Sequence, residues 1–147
     1  MYQKILCPVD GSEGGRRALS ESVKLAGLTQ ARLLILTVFR HHSLLDASLS
    51  MVDVDDPDTV EDVLRAHAVG ICEEAKSAAL QMGASHIRAV VKRGPPARTI
   101  LGFAEQNRAD LIVLGGRGSG DAENYLLGSV SHKVTSLAKC SVLVTHP

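Results

Sequence analysis

The feature that most constrains this chain is its rhythm, in which short apolar runs alternate with longer stretches of helical periodicity. The run from Lys4 to Val9 ends in Asp10-Gly11-Ser12, a turn cluster, and reads as a first strand. Ser12 caps the helix that follows, whose inward face carries Leu19, Val23 and Ala26, joined by Ala18, Ser22 and Leu25. Leu33 to Phe39 is apolar on both faces, as in a parallel strand covered by helices on either side. A helix over about Thr59–Met82 follows, with Val60, Leu64, His67, Ile71, Ala75, Ala78 and Met82 as its stripe and Gly83 as its stop. His86 to Lys92 reads as the third strand. A helix over Pro96–Asn107, opened by proline, turns Ile100, Leu101 and Ala104 inward. Leu111–Leu114, a helix from Ser129 to about Leu137, and Ser141–Thr145 complete the order β-α-β-α-β-α-β-α-β. This pattern implies an α/β fold: one Rossmann-like domain over residues 1–147, an open five-stranded parallel sheet with helices on both faces.

Composition excludes several alternatives. The chain has 147 residues, enough to bury about two-thirds of its unfolded surface without a disulfide or metal staple. Lys+Arg and Asp+Glu each number 16, so the net charge is zero. That argues against a nucleic-acid binder and against a polybasic membrane-surface protein. Aromatic residues are 3%, with no Trp, which predicts an aliphatic core and leaves few rings for base stacking. Cys7, Cys72 and Cys140 form no CxxC pair and read as small hydrophobes. The opening residues lack a signal-peptide layout, and Leu33–Phe39, the longest apolar stretch, is far below the roughly 20 residues that span a bilayer. The expectation is a soluble cytoplasmic protein.

In an open parallel sheet, ligands bind beyond the C-terminal ends of the strands, at the switch in strand order. The candidates there are Asp10-Gly11-Ser12, the end of the second strand, and the segment Gly115 to Ser129. That segment is neither a GxxxxGK[ST] loop nor a GxGxxG fingerprint. Gly115 and Gly118 let a ligand approach backbone closely, and residues Gly128 to Ser131 present N–H groups at the positive end of a helix. Those groups suit phosphate oxygens, with the Ser129 and Ser131 hydroxyls as further donors. Read without its position in the fold, a glycine-rich segment before a helix is also compatible with a plain turn.

The opening Lys4–Ser12, Gly94-Pro-Pro-Ala-Arg-Thr-Ile100, Ala109–Gly115, and the ending Leu126–Ser131 with Cys140–Val144 together resemble the universal stress protein family, across essentially the whole chain. The family's ATP-binding branch carries G-x2-G-x9-G-[ST], which falls here on Gly115, Gly118, Gly128 and Ser129. The resemblance implies a fold of the adenine nucleotide alpha hydrolase-like kind and an ATP, ADP or AMP ligand, with magnesium as companion. It also implies roles for single residues. Asp10 would bond the ribose hydroxyls, with Pro8, Val9 and Ser12 beside the ligand. The Val38 backbone would read the adenine edge. Gly115 and Gly118 would lie along ribose and phosphates, with Arg117 leaning over the latter. Gly128, Ser129, Val130 and Ser131 would hold the phosphates. Asp121 and Glu123 add negative charge nearby, which opposes a triphosphate or helps hold magnesium. The stretch Arg40–Val52 resembles a loop of the TeaD-type regulators encoded beside TRAP-type solute transporters.

Other features read as structural. His41-His42 lacks a third ligand at useful spacing, and the acidic residues between Asp53 and Asp58 lack the pattern of a calcium loop. His67 reads as a core or rim histidine. No catalytic trio and no GxSxG occurs, so no catalytic residue is assigned, and any ATP hydrolysis would be slow. The expected function is a regulatory nucleotide sensor, possible regulator of a solute transporter. The alternatives are a nucleotide-independent scaffold acting through residues 41–58, and a slow ATPase or self-phosphorylating protein. The strand Ser141–Thr145, if at an edge, would be aggregation-prone unless paired, and the resemblance implies that it pairs with its copy in a homodimer; the apolar half of 41–52 would support a tetramer.

Overall fold

The computed structural model describes residues 1–40, 57–116 and 128–147. Expectations placed on Arg117, Gly118, Asp121, Glu123 and most of the 41–58 stretch fall outside those residues. The described elements run β1 (Lys4–Pro8), α1 (Glu13–Thr29), β2 (Arg32–Phe39), α2 (Pro57–Gln81), β3 (Ile87–Arg93), α3 (Pro96–Asn107), β4 (Leu111–Gly115), α4 (Ser129–Leu137) and β5 (Ser141–Thr145). The five strands form one parallel sheet in the order β3-β2-β1-β4-β5.

The hydrophobic pattern explains the layering. Ile5, Leu6 and Cys7 of β1, and Leu33 to Leu36 of β2, are all buried, and alternate residues feed opposite faces. Ile5, Cys7, Leu33 and Ile35 pack with Ala18, Leu19 and Val23 of α1 and Cys72 and Ala79 of α2. Leu6, Leu34 and Leu36 pack with Ile100, Phe103 and Ala104 of α3 and Val134 of α4. Among the described residues, two helices thus cover each face. Local signals set the helix ends: the Ser12 hydroxyl accepts from Gly15 N–H at 3.2 Å to open α1, and Gln30 closes it in the left-handed region at φ 59°. Pro96 opens α3 and left-handed Arg108 ends it.

Three sequence expectations need correction. The core is not wholly aliphatic, because Phe39 and Phe103 are both buried in it. α2 begins at Pro57 rather than Thr59 and ends at Gln81, leaving Met82 exposed. Its buried line runs through Val60, Leu64, Ala68, Cys72 and Ala79, with Ile71, Ala75 and Ala78 only half-buried and His67 exposed. The line rotates because α2 meets Phe39 near its start and the α1 side of the core farther on. Smaller shifts are that β1 ends at Pro8 and β3 spans Ile87–Arg93.

The three cysteines, Cys7 and Cys72 buried and Cys140 half-buried, are held as thiols. Burial pushes Cys7 up to about 12, with the Ser22 hydroxyl pulling slightly the other way. Burial also raises Cys72, and burial followed by the Asp110 carboxylate raises Cys140. A thiol with a raised folded-state pKa favours folding below its ordinary value of 9.0 and loses that contribution as pH climbs toward 12. Stability should therefore fall above about pH 9, by up to about 1.4 kcal/mol per pH unit for Cys7. Urea unfolding at pH 8 and pH 10.5, in wild type and Cys7→Ala, measures this. A slope unchanged by the substitution would remove Cys7 as its cause.

Candidate functional site

β1 sits between β2 and β4, and successive connections leave it in opposite directions, so the switch in strand order falls between β1 and β4. A cavity of about 640 Å³ opens there, at the C-terminal ends of β1, β2 and β4. Its lining includes Pro8, Val9, Asp10, Ser12, Val38, Gly115, Gly128, Ser129, Val130 and Ser131. The fold therefore brings into one cavity every described residue that the sequence nominated. A larger cavity, about 820 Å³, lies at the other end of the sheet, between Val23, Ala26 and Leu33 on one side and Met82 to His86 on the other. It holds no helix N-terminus and no close backbone approach, so the chemistry points to the switch-point cavity.

At the β1 end the Asp10 carboxylate is positioned by its own turn. The Ser12 N–H donates to Asp10 Oδ1 at 3.0 Å, and the Ser12 hydroxyl donates to the same oxygen. Gly11, at φ 86°, makes the turn possible. Gly15 leaves room for the carboxylate, since a Cβ there would stand 3.3 Å from Asp10 Oδ1.

At the β4 end backbone meets backbone. A Cβ on Gly115 would lie 2.8 Å from the carbonyl carbon and oxygen of Gly14, so β4 and the start of α1 touch without any side chain between them. The Gly115 carbonyl accepts the Ser131 hydroxyl, and Gly128 N–H donates to the Gly116 carbonyl at 2.6 Å. These bonds correct two expectations. The Gly128 N–H is committed to the Gly116 carbonyl, just past the end of β4, and the buried Ser131 hydroxyl locks α4 onto the strand instead of facing a ligand. What α4 offers is the N–H row of its first turn and the exposed Ser129. Among the described residues no side chain caps that helix, and its first turn carries no acidic residue. Among the described residues nothing neutralises its positive end.

The remaining walls come from residues with weaker sequence signals. α3 contributes Pro96 and Ile100, and α2 contributes Leu64, His67, Ala68 and Ile71. Thr37 and Arg40 line the β2 side. The Gly14-Gly15 pair was a missed signal, because two glycines in the first turn of a helix mark a place where something must come close. Among the described residues no group of three or more His, Cys, Asp or Glu offers a metal site. No described helix is long and apolar enough to cross a membrane.

Comparison with known proteins agrees with this architecture. A solved universal stress protein from Lactobacillus plantarum superposes with a TM-score of 0.80 at 31% identity, covering 99% of this chain and 98% of that one. Another, solved in complex with cAMP, gives a TM-score of 0.75 at 28% identity over 99% and 97% of the two chains. Universal stress protein YxiE of Bacillus subtilis is 36% identical over 147 residues, covering 98% of this chain and 99% of that protein. The sequence model of the universal stress protein family matches residues 1–146, and the chain belongs to that family.

Proposed function

We propose that this chain is a regulatory adenine-nucleotide-binding protein whose ligand lies in the switch-point cavity. The observation that carries the reading is the pairing of a positioned carboxylate, Asp10, with the uncapped start of α4 across one cavity. A carboxylate suits the two hydroxyls of a ribose, and a helix N-terminus suits a phosphate. A similar universal stress protein has been solved with cAMP, which supports an adenine nucleotide as the ligand class. Within the reading, Pro8, Val9, Ser12 and Val38 surround sugar and base, Gly115 brings β4 against the start of α1 beside the sugar, and Gly118, Arg117 and the first-turn N–H groups of Ser129, Val130 and Ser131, which follow the Gly128 cap, form the anion site. ATP, ADP and AMP are the candidate ligands, and magnesium would arrive on the polyphosphate, which brings its own oxygens. Extraction of nucleotide from purified protein, followed by calorimetry with AMP and Mg-ATP, tests the reading. Protein that purifies empty and shows no heat with either would overturn it.

A homodimer through β5 belongs to the same proposal. Among the described residues β5 pairs with β4 alone, which leaves its outer edge without a strand partner there, and Leu143 is exposed beside it. Sedimentation should show a dimer for wild type and a folded monomer for Leu143→Glu. A wild-type monomer at about 100 µM, well above the dissociation constant of a stable dimer, would refute it. The stretch Arg40–Val52 is then the proposed contact for a second dimer, or for a transporter or other protein partner.

A further inference from the structure

The cavity has an order across the sheet. α4 and Gly115 stand over β4, Asp10 follows on β1, and Thr37 to Arg40 with α2 close the far side over β2. Two strand spacings, roughly 10 Å, separate the α4 end from the β2 end. A nucleotide with its phosphate on α4 and its sugar at Asp10 therefore places its base between α2 and α3. That end is walled by Leu64, Ala68 and Ile71 on one side and Pro96 and Ile100 on the other, all apolar.

His67 is the polar exception on the α2 wall. It is exposed, and it has no hydrogen-bond or ion-pair partner among the described residues. The charged groups around it are otherwise engaged or farther along the cavity. Arg65 stacks on the Phe39 ring at 5.0 Å and pairs with Glu61 at 3.6 Å. Glu61 also pairs with Arg93 of β3 at 3.4 Å. Asp10 and Arg40 are the other ionisable side chains that line the cavity among the described residues. A second polar group at this end is incompletely satisfied: the Thr37 hydroxyl is 2% exposed, faces the Cys72 thiol, and has no hydrogen-bond partner of good geometry. An apolar slot with a polar ring at its rim matches a flat heterocycle with nitrogens at its edge.

Resting on the proposed nucleotide reading, we infer that His67 is a base-recognition residue, donating a ring N–H to an acceptor nitrogen of the purine. The imidazole ring has an N–H donor that can reach the edge of a base lying against the α2 wall. The experiment titrates wild type, His67→Ala and His67→Gln with AMP and with ribose 5-phosphate at one pH. Ribose 5-phosphate carries the same sugar and phosphate, with the same phosphate titration, but no base. The expected result is about tenfold weaker AMP binding in His67→Ala, the worth of one hydrogen bond, with ribose 5-phosphate unchanged. His67→Gln keeps a donor, so it should bind AMP within about threefold of wild type. AMP binding unchanged in His67→Ala, or equal losses for both ligands, would overturn the inference while leaving nucleotide binding intact. Wild type that binds neither ligand would overturn the functional reading itself.

Discussion

Gly128→Asp is expected to abolish nucleotide binding while leaving the fold at least as stable as before. Gly128 is the N-cap of α4, in extended conformation at φ −64° and ψ 163°, and no side chain among the described residues caps the helix. Aspartate is among the best N-caps, because its carboxylate accepts the N–H of the second or third helical residue. Those N–H groups belong to Val130 and Ser131, the ones a phosphate would use. The substitution thus fills the anion site with the protein's own anion and repels any other. Affinity should fall by at least about a hundredfold, on the order of 3 kcal/mol, while the helix gains a few tenths of a kcal/mol. Calorimetry with AMP and a thermal melt on the same sample separate the two effects. A variant that melts like wild type and still binds would show that the phosphate does not sit on α4.

Gly115→Ala should have the opposite profile, a large loss of stability that carries binding with it. Gly115 does not need glycine for its φ, since it is not among the positive-φ residues. It needs glycine for space, because the new Cβ would stand 2.8 Å from Gly14 backbone. Neither backbone can rotate away as a flexible side chain would. Forcing a methyl group into such a contact costs about 1–3 kcal/mol, and a backbone neighbour places this case near the top of that range. The melting temperature should drop by about 10 °C. Since α1 would be pushed from β4, Asp10 and its Ser12 and Gly15 supports would shift with it. Gly70→Ala is the control, as nothing lies within 4 Å of its added Cβ in mid-helix, and it should gain roughly 0.5–1 kcal/mol. Equal melting temperatures for the two variants would refute the close-contact account.

The elements were legible because their signals are local. Apolar runs, proline and glycine punctuation and the Ser12 cap mark strand and helix positions to within one or two residues. The grouping of Asp10 with the start of α4 was legible too, because parallel connections send both to the same end of the sheet. The atom-level assignments were not. Gly115 read as a phosphate approach, yet its lack of a side chain is demanded by Gly14, a contact between residues about a hundred positions apart. Ser131 read as a ligand donor, yet its hydroxyl is spent on the Gly115 carbonyl. A sequence shows which residue types are present but not which partner each atom finds first. The α2 wall was misread for a related reason. Helical periodicity defines one straight stripe, whereas a 25-residue helix that meets two different neighbours presents a rotating one.

The strand order also bears on how the chain emerges from the ribosome. β1 is synthesised first yet ends in the middle of the sheet, and β2 can satisfy only one of its sides. The other side waits for β4, and the Gln3 and Lys4 N–H groups wait for the Asp110 carboxylate, 107 and 106 residues downstream. Until then the nascent chain carries an apolar strand, Ile5-Leu6-Cys7, with an open flank. That interval is when a chaperone has something to hold, and a truncated product ending before β4 would be a substrate for proteases rather than a smaller working protein.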